Sequence, residues 1–88
     1  MAWNVELTKT AENQLRKLEK KWQITILDYF EDDISTLDNP RLRGKALTGD
    51  KKDLWRYRLG DYRIICDIRD EQLVLLAVTI GYRKDVYI

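Results

Sequence analysis

Trp3, Val5 and Leu7 alternate with Ala2, Asn4 and Glu6, and this period of two predicts a short opening strand with one apolar face. Thr8 or Thr10 then offers an N-cap, with Glu12 in the first turn. Ala11, Leu15, Leu18 and Trp22 recur at helical spacing, so a first helix is expected from about Lys9 to Lys20. A second series, Ile24, Leu27, Phe30 or Glu31, Ile34 and Leu37, predicts a second helix from about Trp22 to Leu37, the two forming a helical hairpin. Asp38-Asn39-Pro40 stops it, because the residue before a proline is pushed out of the α region.

Residues 41–53 hold Gly44, Gly49 and five basic residues without a clean period, and read as a loop. Three strand-like runs follow, 54–59, 62–69 and 73–80, separated by Gly60-Asp61 and by Asp70-Glu71-Gln72. The last run is apolar on both faces and is expected to be the central strand. The order is β-α-α-β-β-β. It implies a single α+β domain over residues 1–88, with a helical hairpin on a three- to four-stranded, mostly antiparallel twisted sheet.

The Gly60-Asp61 hairpin carries the sharpest inference. A two-residue loop with glycine first suits a type II′ turn, and it sets Leu59 opposite Tyr62, Arg58 opposite Arg63, Tyr57 opposite Ile64 and Arg56 opposite Ile65. Alternation then gives one face Trp55, Tyr57, Leu59, Tyr62, Ile64 and Cys66, a core, and gives the other Arg56, Arg58 and Arg63. Like charges directly opposite one another destabilise a ladder, so folding does not ask for this arrangement. The bland alternative is a solvated face whose arginines splay apart or pair with Asp61 and Asp67. Guanidinium forks match phosphate oxygens in shape and charge, so the expected ligand is a polyanion. Arg83 and Tyr87 in the tail would add a cation and an aromatic ring for a nucleotide.

Composition narrows the chemistry. The chain has 88 residues, no histidine and one cysteine, Cys66, which excludes Ser-His-Asp triads, Cys-His pairs and zinc sites built from Cys and His. Cys66, mid-strand among isoleucines, reads as a small buried hydrophobe. Net charge is +1, but residues 1–40 carry five Lys/Arg against eight Asp/Glu while residues 41–88 carry eleven against seven, a hint of anion binding by the second half. The longest apolar run, 73–78, is far below the ~20 residues that cross a bilayer. With no secretion leader at the N-terminus, a cytoplasmic location away from membranes is expected.

Pro40-Arg41, Gly44-Lys45-Ala46-Leu47, Leu54-Trp55-Arg56-Tyr57-Arg58, Gly60-Asp61-Tyr62-Arg63-Ile64 and Gly81-Tyr82-Arg83-Lys84-Asp85-Val86-Tyr87 together resemble the RelE branch of the RelE/ParE toxin superfamily. The resemblance implies a toxin that enters the ribosomal A site and cuts messenger RNA by attack of a ribose 2′-hydroxyl on the adjacent phosphate, without metal or other cofactor. It implies a cognate antitoxin as partner, a monomeric free toxin and a hetero-oligomeric complex. By motif, Arg58, Arg63, Arg83 and Tyr87 take the catalytic positions, with Arg56, Lys45 and Tyr82 as RNA-binding residues and Lys45 and Tyr82 also as candidate proton carriers. Tyr82 stands where several relatives place a histidine. The alternatives are a ParE-like protein that poisons DNA gyrase without nuclease activity, and an inactive RNA-binding or complex-forming module.

Overall fold

The computed structural model describes residues 3–47 and 53–82, and builds from them a five-stranded sheet with helices on one face. Strand β1 (Asn4–Leu7) leads into α1 (Lys9–Arg16) and α2 (Lys20–Asp28), which continues as a π-helical turn over Tyr29–Ile34. After a 3-10 turn at Pro40–Leu42 come β2 (Lys45–Ala46), β3 (Trp55–Leu59), β4 (Tyr62–Arg69) and β5 (Val74–Tyr82). The spatial order is β1-β5-β4-β3-β2, with β1 parallel to β5 and every other pair antiparallel.

Four expectations need correction. The segment read as a loop contains β2, whose two residues pair Lys45 with Arg56 and Ala46 with Trp55; so short a strand has no period to detect. The last strand is interior, between β1 and β4, but β4 is the middle strand of the five. The first helix ends at Arg16, several residues early. In the second, the buried residues are Ile26, Phe30 and Ile34, while Ile24 is half exposed. Their strict spacing of four would drift around an α-helix of 3.6 residues per turn. The wider π turn, in which Ser35 N–H donates to Phe30 C=O at 2.8 Å, compensates and returns Ile34 to the core face.

The core is the layer between α1, α2 and the sheet: Ala11, Leu15, Ile26, Phe30 and Ile34 against Tyr57, Ile64, Cys66, Leu75, Ala77 and Ile80. Cys66 is fully buried there, and burial pushes its thiol pKa up, with the Asp67 charge adding to the rise. Leu75, Ala77 and Ile80 all face the helices only because β5 bulges. The register runs Ile65↔Thr79 and then Cys66↔Ala77, leaving Val78 without a partner on β4.

Where β1 ends, the backbone groups of β5 are taken up by Thr8 and the start of α1. Thr8 caps the helix by accepting from Ala11 N–H at 3.1 Å, and its hydroxyl donates to Val78 C=O, also at 3.1 Å. Thr8 N–H donates to Ala77 C=O at 2.9 Å, and Ile80 N–H donates to the Gln14 side-chain oxygen at 2.7 Å. Thr8→Ala should therefore cost about 1–2 kcal/mol. Gln14→Leu, which leaves a half-buried N–H without an acceptor, should cost about 1–3 kcal/mol. Both are read as a drop in denaturant midpoint at unchanged slope.

Candidate nucleic-acid interface

The hairpin that organises the site turns on Gly60. Its φ of +60° is the left-handed value that a type II′ turn needs at its first position, and a Cβ there would lie 2.9 Å from the Trp22 ring. The resulting register is the one the sequence predicts: Leu59↔Tyr62, Arg58↔Arg63, Tyr57↔Ile64 and Arg56↔Ile65. Tyr57 and Ile64 go under the helices, fully buried. Arg56, Arg58 and Arg63 therefore occupy the opposite face, which neither α1 nor α2 covers.

Strand β2 enlarges this face by one cation. Lys45 pairs with Arg56, so its side chain stands on the same side of the sheet. Four basic residues thus form two cross-strand couples, Lys45 with Arg56 and Arg58 with Arg63. Among the described residues the ion pairs are Arg16–Glu12, Arg41–Asp70 and Arg69–Asp67, and none of them includes a member of this quartet. Asp67, one carboxylate that could have neutralised the face, is bonded instead to Arg69 at 3.2 Å. One guanidinium nitrogen of Arg63, Nη1, is buried and finds no hydrogen-bond partner among the described residues. A buried donor without an acceptor is costly, and a bound anionic oxygen would relieve it. Among the described residues no group of three or more carboxylates or thiols is placed to hold a metal ion.

The segment before β2 is pinned at several points. Asn39 accepts from Arg41 N–H at 2.9 Å, opening the Pro40 turn. The Tyr57 hydroxyl, in the core, donates to Pro40 C=O at 2.7 Å, and burial raises its pKa. Arg41 forms a two-pronged pair with Asp70 at 2.8 and 2.9 Å, and this hydrogen bonding holds the Asp70 carboxyl below its usual range. Trp55 Nε1–H donates to Arg43 C=O at 2.6 Å. Gly44, at φ +80°, lets the chain lie flat on β3, since a Cβ there would clash with Arg56 C=O and sit 2.7 Å from Trp55 Nε1.

Of the residues expected to act, the structure brings Lys45, Arg56, Arg58 and Arg63 together. It does not bring Tyr82 to them. In β5, Gly81 faces Arg63 and Tyr82 faces Tyr62, so alternation turns the Tyr82 ring to the helix side. There it meets Tyr62 edge-on at 5.8 Å, and Tyr62 in turn packs on Trp22 at 4.9 Å. Arg83 and Tyr87 lie outside the described residues. Sequence reasoning missed Arg43 and Tyr29, which line a cleft at the edge of the basic face with Lys45, Arg56 and Arg58. The available signal is the spacing of Arg43 two residues before Lys45, which puts both on one face of an extended chain but stands out only once β2 is known.

A profile of the ParE toxin of the type II toxin-antitoxin system parDE matches residues 5–87. Toxin RelG of Mycobacterium tuberculosis is 28% identical over 87 residues, covering 99% of this chain and 98% of the relative. Toxin RelE of the same organism is 29% identical over 85 residues, covering 97% and 86%. The toxin-antitoxin complex RelBE2 from M. tuberculosis contains a chain with a TM-score of 0.85 and 25% identity, covering 94% of this chain and 93% of that one. The archaeal RelE-RelB complex from Pyrococcus horikoshii gives a TM-score of 0.71 at 28% identity, covering 94% and 97%. The strand, two helices and mixed sheet that carry the arginine face are thus a fold shared with these toxins, and the chain belongs to the RelE/ParE family of type II toxin-antitoxin toxins.

Proposed function

We propose that this toxin cuts messenger RNA in the ribosomal A site, and that the basic face of β2, β3 and β4 is its clamp on the scissile phosphate. The observation that carries the reading is the quartet of Lys45, Arg56, Arg58 and Arg63, set in like-charged couples on a face the helices leave bare. A solvated face would gain nothing from such couples, whereas a phosphodiester neutralises them.

In this reaction the ribose 2′-oxygen attacks the adjacent phosphorus as the bond to the 5′-oxygen breaks. The products are a 2′,3′-cyclic phosphate and a 5′-hydroxyl; one proton leaves the 2′-oxygen and one joins the leaving oxygen. An arginine stays protonated near neutral pH, so Arg58 and Arg63 serve as fixed positive charge against the phosphorane oxygens rather than as proton carriers. Arg56 and Lys45, farther along the same face, hold the flanking backbone. Arg83 and Tyr87 are proposed for the motif positions that grip the phosphate and stack on a base, so that the 2′-oxygen lies in line with the leaving group. Tyr82, turned to the helix side, is not part of this machinery. A cognate antitoxin, as in the mycobacterial and archaeal complexes, would neutralise the toxin in the cytoplasm by covering the face.

The second reading rests on the ParE name of the matching profile: a protein that poisons DNA gyrase and cuts no RNA. A cell-free translation reaction separates the two. Added toxin should halt synthesis and leave discrete cuts within codons, and Arg63→Ala should slow cutting by about 100- to 1,000-fold, the usual effect of removing one donor from a charge-stabilising site. Tyr82→Phe should leave the cuts unchanged. Uninterrupted translation alongside gyrase-dependent DNA cleavage would replace the first reading by the second.

A further inference from the structure

The basic face does not stop at the quartet. At the outer edge of the sheet, Arg43, Lys45, Arg56 and Arg58 line an open cleft of about 220 Å³ together with Tyr29 and Gly44. Among the described residues four cationic side chains line it, and no carboxylate does. The opening is also built: Trp55 fixes the Arg43 carbonyl, and Gly44 brings the backbone against β3. Tyr29 is wedged edge-on against Phe30 at 5.6 Å and Tyr57 at 6.3 Å. Its phenol is raised by burial and by Asp33, and the Arg43 guanidinium beside it opposes that rise. On the far side of Tyr29 lies a separate groove lined by Asp28, Asp32 and Asp33, which repels an anion and so bounds its path.

We propose that Arg43, with the Tyr29 hydroxyl beside it, forms a second RNA-phosphate subsite continuous with the clamp. The inference rests on the nuclease reading. Arg56 and Arg58 belong to both sites, so one RNA backbone can cross from Arg63 over β3 and off the sheet edge. The row from β4 to β2 spans two strand spacings, ~10 Å, which is wider than one phosphate group. Arg43 therefore meets a phosphodiester next to the one that is cut, supplied either by the messenger or by ribosomal RNA.

The test is equilibrium binding of the full chain, over a salt series, to ribosomes whose A-site codon carries 2′-deoxyriboses and cannot be cleaved. Arg43→Ala should flatten the log–log salt slope by about 0.7, the share of one single-strand phosphate contact, and Arg43→Lys should restore it. Arg16→Ala, a charge on α1 paired with Glu12 and away from this face, should leave the slope as in the parent. With a messenger truncated just after the A-site codon, loss of the Arg43 effect assigns the phosphate to the messenger and its persistence assigns it to ribosomal RNA. A parent that binds and cuts while Arg43→Ala keeps the parental slope overturns the subsite and leaves the nuclease reading standing. A slope unchanged while antitoxin affinity falls overturns it in favour of an acidic peptide. A parent that neither binds nor cuts overturns both readings.

Discussion

The register between β3 and β4 is the constraint from which the rest follows. A two-residue turn opening on Gly60, at a φ that other residues resist, fixes which side chains oppose one another, and a slip of one residue would exchange the two faces. In the observed register Tyr57 and Ile64 go under the helices, and an exposed Arg58 faces a half-buried Arg63 on the opposite side of the sheet. One backbone choice thus sends Tyr57 and Ile64 into the core and Arg58 and Arg63 to the opposite face. The same face would lose its charge if the core lost its aromatic and aliphatic pairs.

The helical layer and the bulge in β5 serve that division. Thr8 and Gln14 satisfy the backbone of β5 beyond the end of β1, at Ala77, Val78 and Ile80, while the bulge keeps Leu75, Ala77 and Ile80 all on the core side. The π turn does the equivalent for Ile34. The main core is gathered on the helix side of the sheet, while on the other side Ile65 is buried among cations that fold stability alone does not favour. Local conflict with the folding rules, set in an otherwise consistent chain, is where a ligand is expected.

Much of this was legible from residue order. The hairpin register, the burial of Tyr57 and Cys66 and the convergence of Arg56, Arg58 and Arg63 follow from a turn residue and a period of two, both local signals. What escaped lacked a local signal. Two residues cannot show a period, so β2 went unseen, and with it the placement of Lys45 against Arg56 and the cleft at Arg43. The run 73–80 is apolar on both faces and gives no phase, so the bulge could not be read, nor could the parallel pairing of β1 with β5, which depends on chain ends far apart. Tyr82 was expected near the phosphate because it precedes Arg83 in a motif; alternation along β5 turns it to the helix side.

The proposed nuclease activity requires these arginines to be kept for a ligand and not for the fold. Arg58→Gln keeps most of the stem and removes the charge facing Arg63, so unfolding free energy measured beside RNA cutting separates the two purposes. The variant should be at least as stable as its parent, since repulsion worth about 0.2–1 kcal/mol is relieved, yet severely impaired in cutting. A variant that loses stability by about 1 kcal/mol or more, as when a structural hydrogen bond is removed, and whose folded fraction cuts like the parent, would contradict that requirement.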